Sequence, residues 1–290
     1  MTELSQAVRR PEPPGGPQRA PGTPRPPKRE KNMGGRLWRR AEPWFLRGIV
    51  PFIVLGIWAF VADREMVSAL ILPEPGEVWS KLWSGLVTEG GWNDDLWVTL
   101  RATLKAFAIG LGLGLAGGVL FAFFDRTRVA LYPYVLALQA FPKIAVAPLL
   151  IVWLGYGESP KVVIGASLAV FPVLTATFAG LTEIGKDELN LLRSIRATRL
   201  QELRYLRLPN SMSYIFPSLD LAILCALLGV ITGEVVGSNS GLGYLIQERT
   251  VYGDSASVFA VLLILAAIGL VLSALALAVK RALPRSIVPR

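Results

Sequence analysis

From residue 45 onward, long apolar runs alternate with short polar stretches that carry most of the charge, and the pattern predicts six helices of membrane-crossing length. About 20 apolar residues at a rise of 1.5 Å each cross roughly 30 Å of hydrocarbon. The expected spans are Phe45–Ala62, a second from about Thr99 with an uncharged run from Ala106 to Phe124, Val129–Gly155, Val162–Leu181, Tyr214–Val236 and Ser255–Val279. Pro142, Lys143 and Pro148 interrupt the third, and Pro142 is expected to break or bend it, because proline lacks the N–H that the helix ladder needs.

The polar stretches set the orientation. The tail to Pro43, the turn 125–128, the loop 182–214 and the C-terminus hold 22 Lys and Arg, against 4 in the stretches 64–97, 154–161 and 232–254. The positive-inside rule then places both termini and the 182–214 loop in the cytosol. Residues 1–41, rich in Pro, Gly and Arg, are expected to be a disordered cytosolic tail, with the membrane domain covering 42–290. No apolar run follows Met1 closely, so a cleaved secretory signal is not expected. In LPEPGEVWSKLWSGL, Pro73 and Pro75 precede Val78, Trp79, Leu82, Trp83 and Leu86, the spacing of an amphipathic helix lying at the outer interface. No internal repeat is evident, so the inverted-repeat architecture of many secondary transporters finds no support.

Composition narrows the chemistry. The 290 residues are 52% hydrophobic with a mean hydropathy of +0.48, the profile of a small polytopic membrane protein. There is no histidine and one cysteine, Cys225, inside an apolar run, so Cys/His zinc sites, histidine-based triads and an intrachain disulfide are excluded and no metal site is expected. No G-x-x-x-x-G-K-[ST] string is present to hold a nucleotide. The net charge of +9 sits in the tail and beside the spans, which marks topology and not nucleic-acid binding.

Within the spans, Gly112, Gly114 and Gly117 match G-x-G-x-x-G, yet no strand precedes them, so a dinucleotide site is not expected. Gly110, Gly114 and Gly118 are read instead as a helix-packing stripe. Asp220 and Glu234 lie in the fifth span, where an acidic group costs roughly 2.5 to 3.5 kcal/mol at mid-membrane, so both are expected to face protein or water and are candidates for a pathway wall. After Glu234, VVGSNSGLGYLI combines a glycine-rich turn with a short apolar face, as in a re-entrant gate. The stretch Arg193–Pro209 carries five arginines, with Leu192, Ile195, Leu203 and Leu206 offering apolar spots between them. That is a docking surface for a soluble subunit and for phospholipid.

Five segments in order resemble the six-span permease subunits of type I ABC importers, in the nitrate/sulfonate/taurine branch, from about residue 46 to 283. They are LPEPGEV; TLRATLKAFAIGLGLGLAGGVLFAFF; QAFPKIAVAPLLIVWLGYGESPKVVI; the LRLP closing the arginine-rich loop; and LLGVITGEVVGSNSGLGYLI. The resemblance implies an all-α membrane bundle of six spans with a cytosolic coupling helix, here within about 188–209. In the family that loop carries Glu-Ala-Ala, three residues, Gly, then Leu-Pro with the proline thirteen residues after the glycine. Counting back from Pro209 places Arg196 at the glycine and Asn190, Leu191 and Leu192 at the Glu-Ala-Ala, so both elements are replaced, while Ala197, Thr198 and Arg199 fit the usual Ala-Ser-Arg. Only glycine accepts φ > 0 cheaply, so Arg196 is expected to turn differently or not at all. Asp220 is a second departure, at a point where the family commonly has a basic residue.

The resemblance implies a permease in the bacterial cytoplasmic membrane that binds no cofactor itself. ATP and Mg are held by two ATPase subunits, docked on Arg193, Ile195, Arg196, Ala197, Thr198, Arg199, Leu208 and Pro209. A solute-binding protein delivers cargo on the outer side, and a second permease copy, or a different permease carrying the intact motif, completes the path. Gln139, Lys143, Asp220, Glu234 and Asn239 are the expected path or gate residues. The implied cargo is a small organic or inorganic anion or a vitamin-like solute. A secondary transporter, which needs titratable groups deep in several spans, and a non-transporting scaffold or sensor are the alternatives.

Overall fold

A computed structural model describes residues 49–282. The expected tail, the first residues of the expected first span and the C-terminal basic residues beyond 282 lie outside the described residues. Two compact units divide between Ile53 and Val54. Of the first, only the opening of helix α1, Ile49–Asp63, is described.

All regular structure among the described residues is helical. It runs through α2 (Pro75–Trp83), α3 (Trp92–Phe123), α4 (Asp125–Ala140), α5 (Ala147–Leu154), α6 (Glu158–Thr182), α7 (Lys186–Ser194), α8 (Arg199–Glu202), α9 (Leu208–Gly237), α10 (Leu242–Val251) and α11 (Ser255–Ala282). Four of these are long and apolar enough to cross a membrane: α3, α6, α9 and α11. Helices α4 and α5 reach that length only as a pair bent by 79°, and the bend falls at Phe141–Pro142, where the sequence predicts a break.

Helix α6 sits between α3 and α9, and small residues set how closely the three approach. Gly110, Gly114 and Gly118 face Ala169, Val173 and Thr177 of α6, where an added Cβ would lie only 2.6, 2.7 and 2.5 Å from the opposing Cβ atoms. On the other side of α6 a Cβ at Gly229 would meet the Gly165 Cα at 2.6 Å, and one at Gly233 the Lys161 Cα at 2.7 Å. Backbones this close gain dispersion contacts that leucine-lined helices cannot reach, which matters where lipid tails remove any hydrophobic drive between helices. The core here is accordingly built of Ala102, Ala106, Ala166, Ala169, Ala222 and Ala226 with a few valines.

A second core, with larger side chains, joins α9, α10, α11 and α2 through Val78, Leu227, Leu242, Leu245, Val261 and Ile264. Helix α2 has the amphipathic character its sequence predicts. Val78 is buried against α11 while Trp79 and Trp83 stay exposed.

The fifth expected span begins earlier than Tyr214. Helix α8, a π turn at Leu203–Arg207 and α9 form one helical run, Arg199–Gly237. Pro209 has no N–H and its ring would collide with the carbonyl four residues back, at Tyr205. The widened π turn lies at that place and lets the run pass through the proline.

Candidate functional site

One end of the bundle holds a fully buried ion pair. Glu234 lies in the last turn of α9, and the chain then turns through Ser238–Gly241 into α10. Gly241 has φ +108°, which side-chain-bearing residues rarely adopt, and a Cβ there would strike the Glu234 carboxylate, so the turn requires glycine. The turn aims the first amides of α10 inward: Gly243 N–H donates to Glu234 Oε2 at 2.9 Å and Leu242 N–H to Thr99 Oγ1 at 2.8 Å. Gly241 N–H donates to Asp95 Oδ1 at 2.6 Å. The Thr99 hydroxyl, on α3, lies 3.0 and 2.9 Å from the two Glu234 oxygens and donates to them.

Lys161, from the first turns of α6, closes the arrangement. Its Nζ is 3.3 Å from Glu234 Oε1 and donates to Ser238 Oγ and to the Ser240 carbonyl, each at 3.2 Å. All three ammonium hydrogens therefore have acceptors, and the carboxylate meets a cation, a hydroxyl and a backbone amide at a helix N-terminus. Two buried charges are tolerable only when paired and hydrogen-bonded in this way. The arrangement ties α3, α6, α9 and α10 at one point.

The residues expected at a path or gate do not converge. Asp220 lies fourteen residues before Glu234, about 21 Å along the helix, and accepts a hydrogen bond from Ser273 Oγ of α11. Gln139 and Lys143 are together at the bend, where Lys143 Nζ donates to the Gln139 carbonyl at 3.0 Å and lies 4.5 Å from the Phe171 ring centroid. Asn239 is exposed in the turn whose neighbours, Ser238 and Ser240, bind Lys161.

The arginine-rich end is built as a capped double turn. Arg193 lies in α7, which closes on Arg196: this residue has φ +54°, and the following Ala197 N–H bonds back to the Leu192 carbonyl at 3.0 Å. That is a Schellman cap with arginine in the left-handed position where glycine is the usual choice. The expectation that Arg196 turns differently is therefore corrected, because the cap's hydrogen bond holds the arginine in the glycine-like conformation. Thr198 then caps α8, with its hydroxyl accepting from Gln201 N–H at 3.3 Å while the Gln201 side chain accepts from Thr198 N–H at 2.7 Å.

Arg199 opens α8, and Leu208 and Pro209 open α9. Arg207 donates to the Leu181 carbonyl at 2.8 Å and pairs with Glu202, and Asn210 donates to the Gly180 carbonyl at 2.8 Å, so the segment is seated against the end of α6. The apolar side chains left most outward are Leu191, Ile195, Leu200 and Tyr205, with Leu208 less exposed. Of those expected, Ile195 agrees, whereas Leu192, Leu203 and Leu206 are half-buried. Leu192 lies in α7 and Leu203 and Leu206 in the π turn, and each is partly covered by the protein.

Sequence reasoning missed Lys161 and Thr99. The sequence places Lys161 among the loop cations at 154–161, yet Pro160 before it is a first-turn residue of a helix, which is the signal that Lys161 lies inside. Thr99 offers no such signal, since one hydroxyl scarcely alters hydropathy.

The model of the binding-protein-dependent transport system inner membrane component family matches residues 108–288. The chain is 30% identical over 231 residues to a putative aliphatic sulfonates transport permease protein of Bacillus subtilis, covering 80% of this chain and 83% of that one. It is 32% identical over 233 residues to a riboflavin transport system permease protein of Chloroflexus aurantiacus, covering 80% and 87%. In fold it is similar to a chain of the MetNI methionine ABC transporter in an inward-facing conformation, with a TM-score of 0.56, 20% identity and coverage of 65% and 94%.

Proposed function

The chain belongs to the family of binding-protein-dependent transport inner-membrane components and is a non-enzymatic permease subunit of an ABC importer, and on that premise we propose how it works. Six segments cross the cytoplasmic membrane: α1, the bent α4–α5 pair and the four long helices. Both termini and the α7–α8 segment face the cytosol, as the excess of Lys and Arg at that end supports. Two ATPase subunits dock on Leu191, Ile195, Leu200 and Tyr205 with the surrounding arginines, and they bind the ATP and Mg that this chain does not. A solute-binding protein delivers cargo at the end that holds Lys161 and Glu234. A second permease lines the path, and the replaced Glu-Ala-Ala and glycine favour one of different sequence. Closure of the ATPases on ATP shifts the pair between two packings, giving alternating access.

The observation that carries this reading is continuity. Thr198 caps, and Glu234 lies near the far end of, one continuous helical run, Arg199–Gly237, so a push on the first is delivered to the second, about 50 Å away, along a single element. Replacing Thr198 and Arg199 together with glutamate tests it. The expected outcome is normal membrane insertion with loss of ATP-driven uptake in proteoliposomes, and unchanged uptake would refute the docking assignment. A purified complex holding two copies of this chain and no other permease would refute the mixed pairing.

The cargo class proposed is a small organic or inorganic anion or a vitamin-like solute, because relatives are named for sulfonate and for riboflavin transport. The secondary-transport alternative is disfavoured by Glu234 and Asp220, whose carboxylates are engaged by Lys161 and Ser273 and are not open for ion coupling.

A further inference from the structure

Three charged side chains outside the buried pair meet at the same end of the bundle. Lys105 of α3 reaches Glu158, in the first turn of α6, with Nζ 2.8 and 2.9 Å from its two carboxylate oxygens. Arg101, one turn earlier on α3, has Nε 3.8 Å from Glu158 Oε1, beyond hydrogen-bond reach, and its guanidinium makes no hydrogen bond among the described residues. Its side chain is 55% exposed, and that of Lys105 50%. A concavity of about 290 Å³ opens beside Lys105, one helical turn from Arg101, lined by Lys105, Glu158, Ser159, Val162 and Val163.

The cluster stands apart from the buried face of α3. The tight contacts of α3 are on its opposite side, through Thr99, Ala102, Thr103 and Ala106. Below the two cations the exposed face continues through Ala108, Gly112 and Ala116, and a Cβ at Gly112 would meet nothing within 4 Å. A face made for lipid tails carries large apolar side chains at such positions. Here a strip of small residues runs between the exposed Leu104, Ile109 and Leu113.

We propose that Arg101 and Lys105, the latter held by Glu158, form an anion-capture site at the mouth of the translocation path, taking a singly charged oxyanion such as a sulfonate or carboxylate on the Arg101 guanidinium. Two cations against one carboxylate leave one net positive charge, and it belongs to the group whose planar donors are unused. A guanidinium fork presents two parallel N–H groups to an oxyanion, where an ammonium offers a point charge. Glu158 neutralises Lys105 and so limits attraction to that of a single cation, which lets the anion leave again. The same oxyanion chemistry is offered by a dissolved solute and by a lipid phosphodiester. The inference rests on the permease reading for its place in transport, and its charge preference is testable apart from transport.

The experiment uses the chain in its full complex, in lipid nanodiscs. Cys225→Ser removes this chain's only thiol and Ser159→Cys puts a reporter in the concavity, with modification read on this chain alone. An anionic sulfonatoethyl methanethiosulfonate is expected to react about tenfold faster than its cationic trimethylammonium counterpart, as local fields of one charge allow. In Arg101→Gln the two rates converge. Millimolar methanesulfonate is expected to slow modification by the neutral methyl reagent, equally in phosphatidylcholine and phosphatidylglycerol discs, and Arg101→Gln abolishes the protection. Equal rates for the charged reagents, a preference indifferent to Arg101, or protection given by phosphatidylglycerol alone would overturn the proposal, the last by assigning the site to lipid. Uptake is measured separately, so its absence with the preference intact counts against the permease reading and supports the site.

Discussion

Lys161 Nζ and Glu234 Oε1 lie 3.3 Å apart with side-chain exposures of 2% and 0%, on two helices that touch through Gly233. Neither partner can be removed alone. Glu234→Gln leaves an ammonium buried opposite a neutral amide, and an uncompensated buried charge costs about 3–5 kcal/mol. The expected result is a large fall in the thermal midpoint of the solubilised complex. The double variant Lys161→Met with Glu234→Leu is expected to be less damaged than either single one, which a double-mutant cycle reads directly.

Glycines two residues apart on α3 are expected to behave oppositely. Gly114→Ala puts a Cβ 2.7 Å from that of Val173 and 2.8 Å from the Val170 carbonyl oxygen, so α3 must shift from α6, at about 1–3 kcal/mol for overpacking. Gly112→Ala meets nothing within 4 Å and is expected to be neutral or to stabilise by up to about 1 kcal/mol through helix propensity. Thermal midpoints of the two variants, purified alike, check the contrast.

Arg196→Gly restores the usual residue at a left-handed cap. The arginine at φ +54° carries a conformational cost of about 1–2 kcal/mol that glycine does not. The expected outcome is slower hydrogen exchange at the Ala197 amide, which closes the cap on Leu192. Faster exchange there would show that the arginine side chain, not the backbone, holds the turn.

Asp254 joins the α10–α11 turn to α2 by an ion pair with Lys81 at 3.2 Å and by bonds from the Ser257 hydroxyl and amide at 2.7 and 3.1 Å. Burial alone raises its carboxyl, but the two Ser257 bonds and Lys81 outweigh burial and hold it below the ordinary value of 3.8. A depressed folded value means that the stabilisation is fully present above the unfolded value and is lost as pH falls through the folded one. The thermal midpoint of the natural chain is therefore expected to drop more steeply below about pH 4 than that of Asp254→Asn, and parallel curves would rule this out.

Much of this architecture can be read without coordinates, because the bilayer as a solvent admits few solutions. Long apolar runs must be helices there, since each backbone polar group has to be paired within its own segment. The spans at α3, α6, α9 and α11, the bend at Pro142 and the amphipathic helix at Val78 all follow from composition and period. So does the arginine-rich segment, because its five arginines stand in a polar stretch between two long apolar runs.

What only the tertiary structure decided depends on register and on neighbours distant in sequence. Lys161 read as one more loop cation, and nothing in its own surroundings announces Glu234, 73 residues later, as its partner. Arg196 read as a lost turn, and a backbone hydrogen bond from Ala197 shows the turn kept. The difference is physical: hydropathy is a property of a segment, and one chain determines it. The satisfaction of a buried charge is a property of several segments meeting, and it exists only once α3, α6, α9 and α10 are packed.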